Sequence, residues 1–371
     1  MPQMPDGPYN NLPPLPPAID LESRAILKTC IEARAALAEL RGAGELLPNQ
    51  SILINSIPLL EAQASSEIEN IVTTTDKLFQ YASQPHANTD NATKETLRYR
   101  TALKSGFEML DETPVSAQLA SQVCSMVMGT EMDVRTGQGT ALINDATGEI
   151  IYTPPDGEGR LRQYLHNWDR FIHEADMIDP LIRMAVLHYQ FEAIHPFDDG
   201  NGRTGRILNL LFLVEQDLLD LPVLYLSRHI IKHKNSYYRL LLEVSTEANW
   251  EDWIIFMLEA VRETAVWTTA KIRAIRTLLD DTARTLQAEL PKIYSRELAE
   301  IIFIQPYCRI ADLVDAGIAK RQTAAVYLDA MAEAGILRKM PVGRENIFVN
   351  PALVRLLARE PKRVDRPASL L

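Results

Sequence analysis

The residues best equipped for chemistry lie in one run, His195-Pro196-Phe197-Asp198-Asp199-Gly200-Asn201-Gly202-Arg203-Thr204-Gly205-Arg206. These twelve positions hold one imidazole, two carboxylates, one amide, two guanidiniums and three glycines. A packing segment has no use for so many polar groups, because each must be paired once it leaves water. Pro196 disfavours the α conformation at His195, so a preceding helix is expected to end there. Beyond Arg203, the run Ile207-Leu208-Asn209-Leu210-Leu211-Phe212-Leu213-Val214 predicts a buried helix. Gly200 and Gly202 let the backbone curl and another group approach it closely. The glycines then sit at a helix N-terminus, where unpaired N–H groups and the macrodipole favour an anion. Turn N–H groups form a nest for phosphate oxygens, and Arg203 and Arg206 add fork-shaped, charge-assisted contacts. The chemistry expected is a polyphosphate cradle with a histidine at its lip.

Competing chemistries fit these residues less well. Gly200-x-Gly202-x-x-Gly205 is formally a dinucleotide fingerprint, but that fingerprint must follow a strand. Here Leu181, Met184, Ala185, His188, Phe191 and Ile194 recur at helical spacing, so a helix precedes it. The Gly-Lys-Ser/Thr of a P-loop is absent from the run. His188, Glu192 and His195 share a helical face and could hold a metal, yet no third histidine completes a zincin pattern.

The run resembles the signature of the Fic family, H-x-F-x-(D/E)-G-N-G-R-x-x-R, at every fixed position. A second stretch, Glu61-Ala62-Gln63-Ala64-Ser65-Ser66-Glu67-Ile68-Glu69-Asn70, resembles the family's inhibitory helix, (S/T)-x-x-x-E-(G/N), with Ser65, Glu69 and Asn70 at the fixed positions. The resemblance implies a protein adenylyltransferase that moves AMP from ATP to a Ser, Thr or Tyr hydroxyl of a target protein, itself included, and releases pyrophosphate. It implies that Gly200, Asn201, Gly202, Arg203, Thr204, Gly205 and Arg206 bind ATP. Asp199 then holds Mg²⁺, Asn201 orients the α-phosphate, and His195 acts as general base. Phe197 is left as a core anchor. Glu69 is implied to reach the cradle, pair with Arg206 and exclude the γ-phosphate. Fic proteins also place a tyrosine against the adenine. Tyr237 and Tyr238 both qualify, and Tyr238 is preferred because it shares a face with Leu241 and Leu242. Rival readings are another transfer or AMP removal on the same scaffold, and a nucleotide-sensing DNA-binding regulator. Homodimers occur in the family, although no stretch of this chain specifies one.

The remaining sequence must position those groups. Pro13, Pro14, Pro16 and Pro17 predict an extended arm laid on the protein's own surface. Asp20 is expected to cap a helix whose apolar face is Ile26, Leu27, Cys30, Ile31, Leu37 and Leu40, and Gly42 and Gly44 to stop it. Residues 82–92 read as a surface loop. At Thr140 the period changes: Thr140–Asn144 and Glu149–Thr153 flank Asp145-Ala146-Thr147-Gly148, a β-hairpin pattern. By resemblance this hairpin is the flap that pairs with a target's backbone. After Pro222, helices carry Tyr237, Tyr238, Leu241 and Leu242, then Trp250, Trp253, Ile254 and Met257. A charged helix from about Ala270 to Leu290 reads as a connector. Three further helices and the strand pairs Ile336–Met340 and Ile347–Val349 predict a winged helix. Lys320, Arg321, Gln322 and Thr323 open its third helix, where such folds touch bases, but Asp312, Asp315, Asp329 and Glu333 interleave. DNA contact and a protein-contact or structural role both remain open.

The fold class expected is mostly α: a Fic-type helical core with a hairpin flap, plus a C-terminal winged-helix unit. The expected divisions are an N-terminal helical region (1–110), a catalytic core (111–270), the connector (271–291) and the winged helix (292–362). A net charge of −11 argues against nonspecific binding to nucleic acid or anionic membranes by the bulk surface. Three scattered cysteines suggest no disulfide framework and suit a reducing cytoplasm. No secretory signal and no membrane span are expected.

Overall fold

The structure is a computed structural model, and it describes residues 7–82, 89–137, 141–143, 150–342 and 345–358. From the N-terminus the helices are α1 (Arg24–Gly44), α2 (Ser51–Ile68), α3 (Thr75–Ala82), α4 (Asn91–Met109) and α5 (Ala117–Met128). Strands β1 (Leu142–Ile143) and β2 (Ile150–Tyr152) follow, then α6 (Glu158–Glu174), α7 (Pro180–Ile194) and α8 (Asn201–Glu215). Next come α9 (Ser227–Lys232), α10 (Lys234–Glu247), α11 (Trp250–Glu289), α12 (Arg296–Ile304), β3 (Tyr307–Cys308) and α13 (Ile310–Asp315). α14 (Arg321–Glu333), β4 (Arg338–Val342), β5 (Glu345–Val349) and α15 (Pro351–Ala358) complete the described elements. The chain divides into two compact units, Met1–Arg41 with Ile57–Val266, and Gly42–Ser56 with Trp267–Leu371.

In the first unit the centre is the pair α7 and α8, packed on each other, with α6 against α7 and with α4 and α5 against α8. Every residue from Leu181 to Ile194 except Glu192 is buried. A helix apolar on all sides has no solvent face and must occupy the middle of a bundle. Local signals fix where these helices begin. Asp179 accepts the Leu181 N–H and Pro180 supplies the first-turn φ of α7. Asp90 and Ser116 cap α4 and α5 in the same way. Gly129, at φ 73°, closes α5.

The N-terminal arm lies on its own unit, as expected. Leu12 and Leu15 are buried, Asn167 clasps Leu15 through both its N–H and its carbonyl, and Gln190 donates to the Pro13 carbonyl. Two expectations for α1 fail. Asp20 closes a turn through the Glu22 N–H, and Ser23 accepts the Ile26 N–H at the head of α1 instead. The apolar face is Ile26, Cys30, Ala33, Leu37 and Leu40, whereas Leu27 and Ile31 face water. The 3.6-residue period selects the smaller Ala33 over the larger but misplaced Ile31. The hairpin forms with Leu142 opposite Tyr152 and Ile143 opposite Ile150, with an irregularity between them. Its turn, Asp145-Ala146-Thr147-Gly148, and Thr140 lie outside the described residues.

Where the sequence suggested a packing helix followed by a connector, α11 is one helix of 40 residues. No Gly or Pro interrupts Trp250–Glu289, so nothing in the chain breaks the backbone ladder there. The second unit carries α12 to α14, a sheet of order β3-β5-β4, antiparallel throughout, and α15 after it. Its strand β3 was not foreseen, because two residues carry no alternation, and neither was α15. Asn350 ties α15 to α12: its side chain accepts the Leu353 N–H to cap α15 and donates to the Ile302 carbonyl. Among the described residues no helix is long and apolar enough to cross a membrane.

Candidate active site

The twelve-residue run is a tight loop between the two central helices. His195 caps α7 at φ 48°. The helix ends at the residue before proline, as expected, but that residue takes the left-handed rather than the extended conformation. Arg135 holds it there: its N–H donates to the Pro196 carbonyl at 2.9 Å and its Nε to the His195 carbonyl at 2.8 Å. Gly200 opens α8 at φ 78°, and a Cβ there would meet Met128 Sδ at 2.9 Å, so both conformation and space require glycine. Asn201 is buried and pins the loop, its amide donating to the Phe197 carbonyl and its oxygen accepting the Phe197 N–H. The side chain is thus committed to the loop, while the residue itself still lines the adjoining cleft. Phe197 itself is buried in the core.

Beside the loop lies a cleft of about 940 Å³, within the range of ligand pockets. His195, Asp199, Gly200, Gly202, Arg203 and Arg206 line one side. Two residues expected to bind ATP do not line it. Thr204 is buried towards Cys124 on α5. A Cβ on Gly205 would lie 2.7 Å from Glu192 Oε1 and 3.2 Å from Phe191, so its absent side chain serves the close packing of α8 on α7. Both face away from the cleft because the positions one and two after Arg203 rotate round the helix, and Arg206, three after it, returns to the cleft side. Glu69 is where the sequence put it and makes one contact more than foreseen. Its carboxylate bonds Arg206 Nη2 at 2.6 Å and pairs with Arg203 Nε at 2.7 Å. Ser65 adds its hydroxyl and carbonyl to Arg206. Asn70 turns the chain at φ 63°, a conformation open to Asn and Gly, which explains why those two types follow the glutamate. A Cβ on Gly202 would lie 2.6 Å from Glu69 Oε1, so this glycine admits the carboxylate.

Both tyrosines line the cleft but differ in burial. Tyr237 is buried and shares a hydrogen bond of 2.9 Å with His188 Nε2. Tyr238 is 41% exposed on the cleft wall with Leu241 and Leu242. His188 also stacks on Trp253. That commitment takes His188 away from the metal set considered with Glu192 and His195. The sequence reading missed Arg135, and it missed Glu61 on α2. Glu61 is fully buried, accepting from Tyr99 at 3.1 Å and from the Ser227 N–H at 2.9 Å. A polar residue in the apolar run around Leu59 and Leu60 was the signal available.

Burial dominates the electrostatics. It pushes His195 down to about 4, aided by the Arg135 charge, so the imidazole is neutral at neutral pH. Burial raises Glu192 to about 7 despite Arg206 nearby, and raises Glu61 to about 7 despite its hydrogen bonds to Ser227. Asp199 is 67% exposed on the cleft wall. One carboxylate that phosphate oxygens can supplement is the donor set Mg²⁺ prefers, so the residues present fit that ion.

A half-buried histidine and two buried arginines around a cleft form a site that suits an anionic ligand. Comparison with known sequences gives it a family. The Fic/DOC family profile matches residues 114–213, and the Fic/DOC family N-terminal profile matches residues 27–108. Residues 278–353 match the profile described as the protein adenylyltransferase SoFic-like C-terminal domain. The chain thus carries the N-terminal and core domains of the Fic/DOC family. Among curated relatives, the protein adenylyltransferase Fic of Aedes aegypti is 27% identical over 123 residues, 32% of this chain and 23% of the relative. That of Drosophila willistoni is 26% identical over 152 residues, 40% and 29% of the two chains. The match therefore spans less than a third of either relative's length. A Fic family protein from Desulfovibrio desulfuricans G20 shares the fold, with a TM-score of 0.57 at 18% identity over 89% of this chain and 97% of that one. A Fic domain containing signaling protein from Bacteroides thetaiotaomicron has a TM-score of 0.53 at 14% identity over 65% and 95%.

Proposed function

We propose that the protein is an adenylyltransferase restrained by Glu69, which transfers AMP from ATP to a hydroxyl of a target protein. One observation carries the reading: a carboxylate of the chain itself grips both arginines of the cradle, where an incoming phosphate would bind. ATP phosphates replace that carboxylate against Gly200, Gly202, Arg203 and Arg206, with Tyr238 beside the base. Asp199 would hold Mg²⁺, which neutralises phosphate charge when bound. His195 takes the proton of the target hydroxyl. The hydroxyl oxygen bonds to the α-phosphorus as the bond to the β-phosphate oxygen breaks, and pyrophosphate leaves in line. Arg203 and Arg206 stabilise charge on the leaving group. The β1–β2 hairpin offers strand pairing to the target's backbone.

Incubating wild type and Glu69→Gly with α-labelled ATP, Mg²⁺ and cell lysate tests nucleotide, restraint and target together. Label on protein, stronger with Glu69→Gly, is expected. No label with either would reject the transfer, and equal label would reject the restraint. A second reading concerns the C-terminal unit, where exposed Lys320 and Arg321 open α14 and offer DNA contact. A steep salt dependence of DNA binding supports it and no binding rejects it. The three cysteines are buried free thiols, which fits residence in a reducing cytoplasm.

A further inference from the structure

Away from the cleft, the junction of α9 and α10 brings two imidazoles and a carboxylate together. His229 and His233 stand four residues apart, and the His233 N–H still bonds the His229 carbonyl at 3.0 Å. Helical spacing therefore persists across the junction and puts both rings on one face. Their centroids are 4.5 Å apart. Glu263 on α11 brings a carboxylate oxygen to 3.0 Å from His229 Nδ1. One ligand atom from each of the three lies within 4.8 Å of the others, and among the described residues no other such group of His, Cys, Asp or Glu gathers. Phe256 packs against the His229 ring at 5.1 Å, so the buried imidazole is held while His233 and Glu263 face water.

We propose that His229, His233 and Glu263 bind Zn²⁺, with a fourth position open to solvent. Two imidazoles and one carboxylate are a borderline-soft donor set that suits Zn²⁺ better than Mg²⁺ or Ca²⁺, which take oxygens. Tetrahedral bonds of about 2.0–2.1 Å put ligand atoms about 3.3 Å apart. The exposed His233 ring must rotate inward slightly to reach that spacing. Arg228 adds positive charge near His229, so binding is weaker than at a cysteine-rich structural site. The ion would tie the foot of α10 to α11. The next turn of α10 carries Tyr237, whose N–H bonds the His233 carbonyl at 2.9 Å, so the site stiffens the helix that forms the cleft wall.

Tag-free protein, stripped with a chelator, is titrated with Zn²⁺ by calorimetry, and bound metal is counted by mass spectrometry after gel filtration. One ion per chain is expected. His233→Ala and Glu263→Gln should each weaken binding by about a hundredfold or more, since loss of a supporting residue alone costs about 10–100-fold. Both side chains are exposed, so circular dichroism and the unfolding midpoint without metal should match wild type. Protein loaded with Co²⁺ should show the intense visible bands of four-coordinate metal. Absence of bound Zn²⁺ at saturating concentration, or affinity unchanged in both variants, would overturn the site.

Discussion

The molecule carries arginine and lysine at two helix N-termini, one in each unit, in opposite circumstances. Arg203 and Arg206 in the first turns of α8 are 3% and 2% exposed and meet Glu69, with Glu95 adding a contact of 3.4 Å to Arg203. Lys320 and Arg321 at the head of α14 are exposed, and Lys320 makes no capping bond. A cation at the surface is hydrated already and its position carries little energy. A buried cation needs a counter-charge, so whatever supplies it is specified by the fold. The structure answers that need with the chain's own carboxylate at the place where a phosphate would serve as well. The lesson is that buried charge, rather than charge, marks the site that must be filled.

This contrast can be broken most directly at His195. In a Glu69→Gly background, His195→Ala should lower transfer by about a hundredfold or more, the usual scale for loss of a general base. ATP binding measured by calorimetry should change little, because His195 holds no phosphate. Transfer that survives the substitution would remove the base from the mechanism. Glu69→Gly alone comes next. The carboxylate is 24% exposed, so its charge pairs are partly screened and their full Coulomb value does not apply. Release of both arginines should raise ATP affinity by about tenfold, ~1.4 kcal/mol. Unchanged affinity would show that Glu69 and phosphate do not compete.

Gly202→Ala sharpens the same point. A new Cβ stands 2.6 Å from Glu69 Oε1 and 2.9 Å from Arg206 Nη1 in the structure. In the Glu69→Gly background it should cut transfer by about fivefold, ~1 kcal/mol, by crowding the phosphate. Alanine is the better helix former by up to ~1 kcal/mol, so the unfolding midpoint should not fall with activity. A smaller effect is expected from pH. His195 is lowered to about 4, so its neutral form prevails above that value and is lost only as pH falls through it. Transfer by Glu69→Gly should thus change less than about twofold between pH 5.5 and 7.5, whereas an ordinary histidine with pKa near 6.5 would lose about tenfold on acidification. A decline centred near 6.5 would show that water reaches the ring freely.

The sequence revealed the site where chemistry was concentrated in a short span. His195 to Arg206 was readable because polar types crowd together between apolar helices, and Ser65, Glu69 and Asn70 because they resemble a motif of the family at its fixed positions. What stayed hidden depended on distant contacts. Arg135 lies sixty residues from the carbonyl it fixes, and Glu61 meets Ser227 across 166. Asn201 looked available to a phosphate, and only the folded loop shows its amide engaged with Phe197. Thr204 and Gly205 read as cradle residues because they sit inside the run, although the helix turns them towards α5 and α7. The strand β3 was invisible because its two residues gain their conformation from β5 rather than from their own pattern.

The smallest effect is expected at the surface pair. Reversing both charges, Lys320→Glu with Arg321→Glu, removes no buried partner and no cap, since neither side chain is buried and the Lys320 side chain makes no capping bond. Surface changes of this kind stay within about 0.5 kcal/mol, so the unfolding midpoint of the full chain should scarcely move. Label transfer by the Glu69→Gly protein should also hold, because the arginines of the cradle keep Glu95 and Glu192 beside them within their own unit. DNA binding, measured by fluorescence anisotropy over a salt series, should fall uniformly across sequences with a shallower salt slope if α14 meets phosphates. A large loss of stability or transfer from this pair would mean that exposed cations here are specified as tightly as buried ones. That result would undo the distinction on which the assignment of the cradle rests.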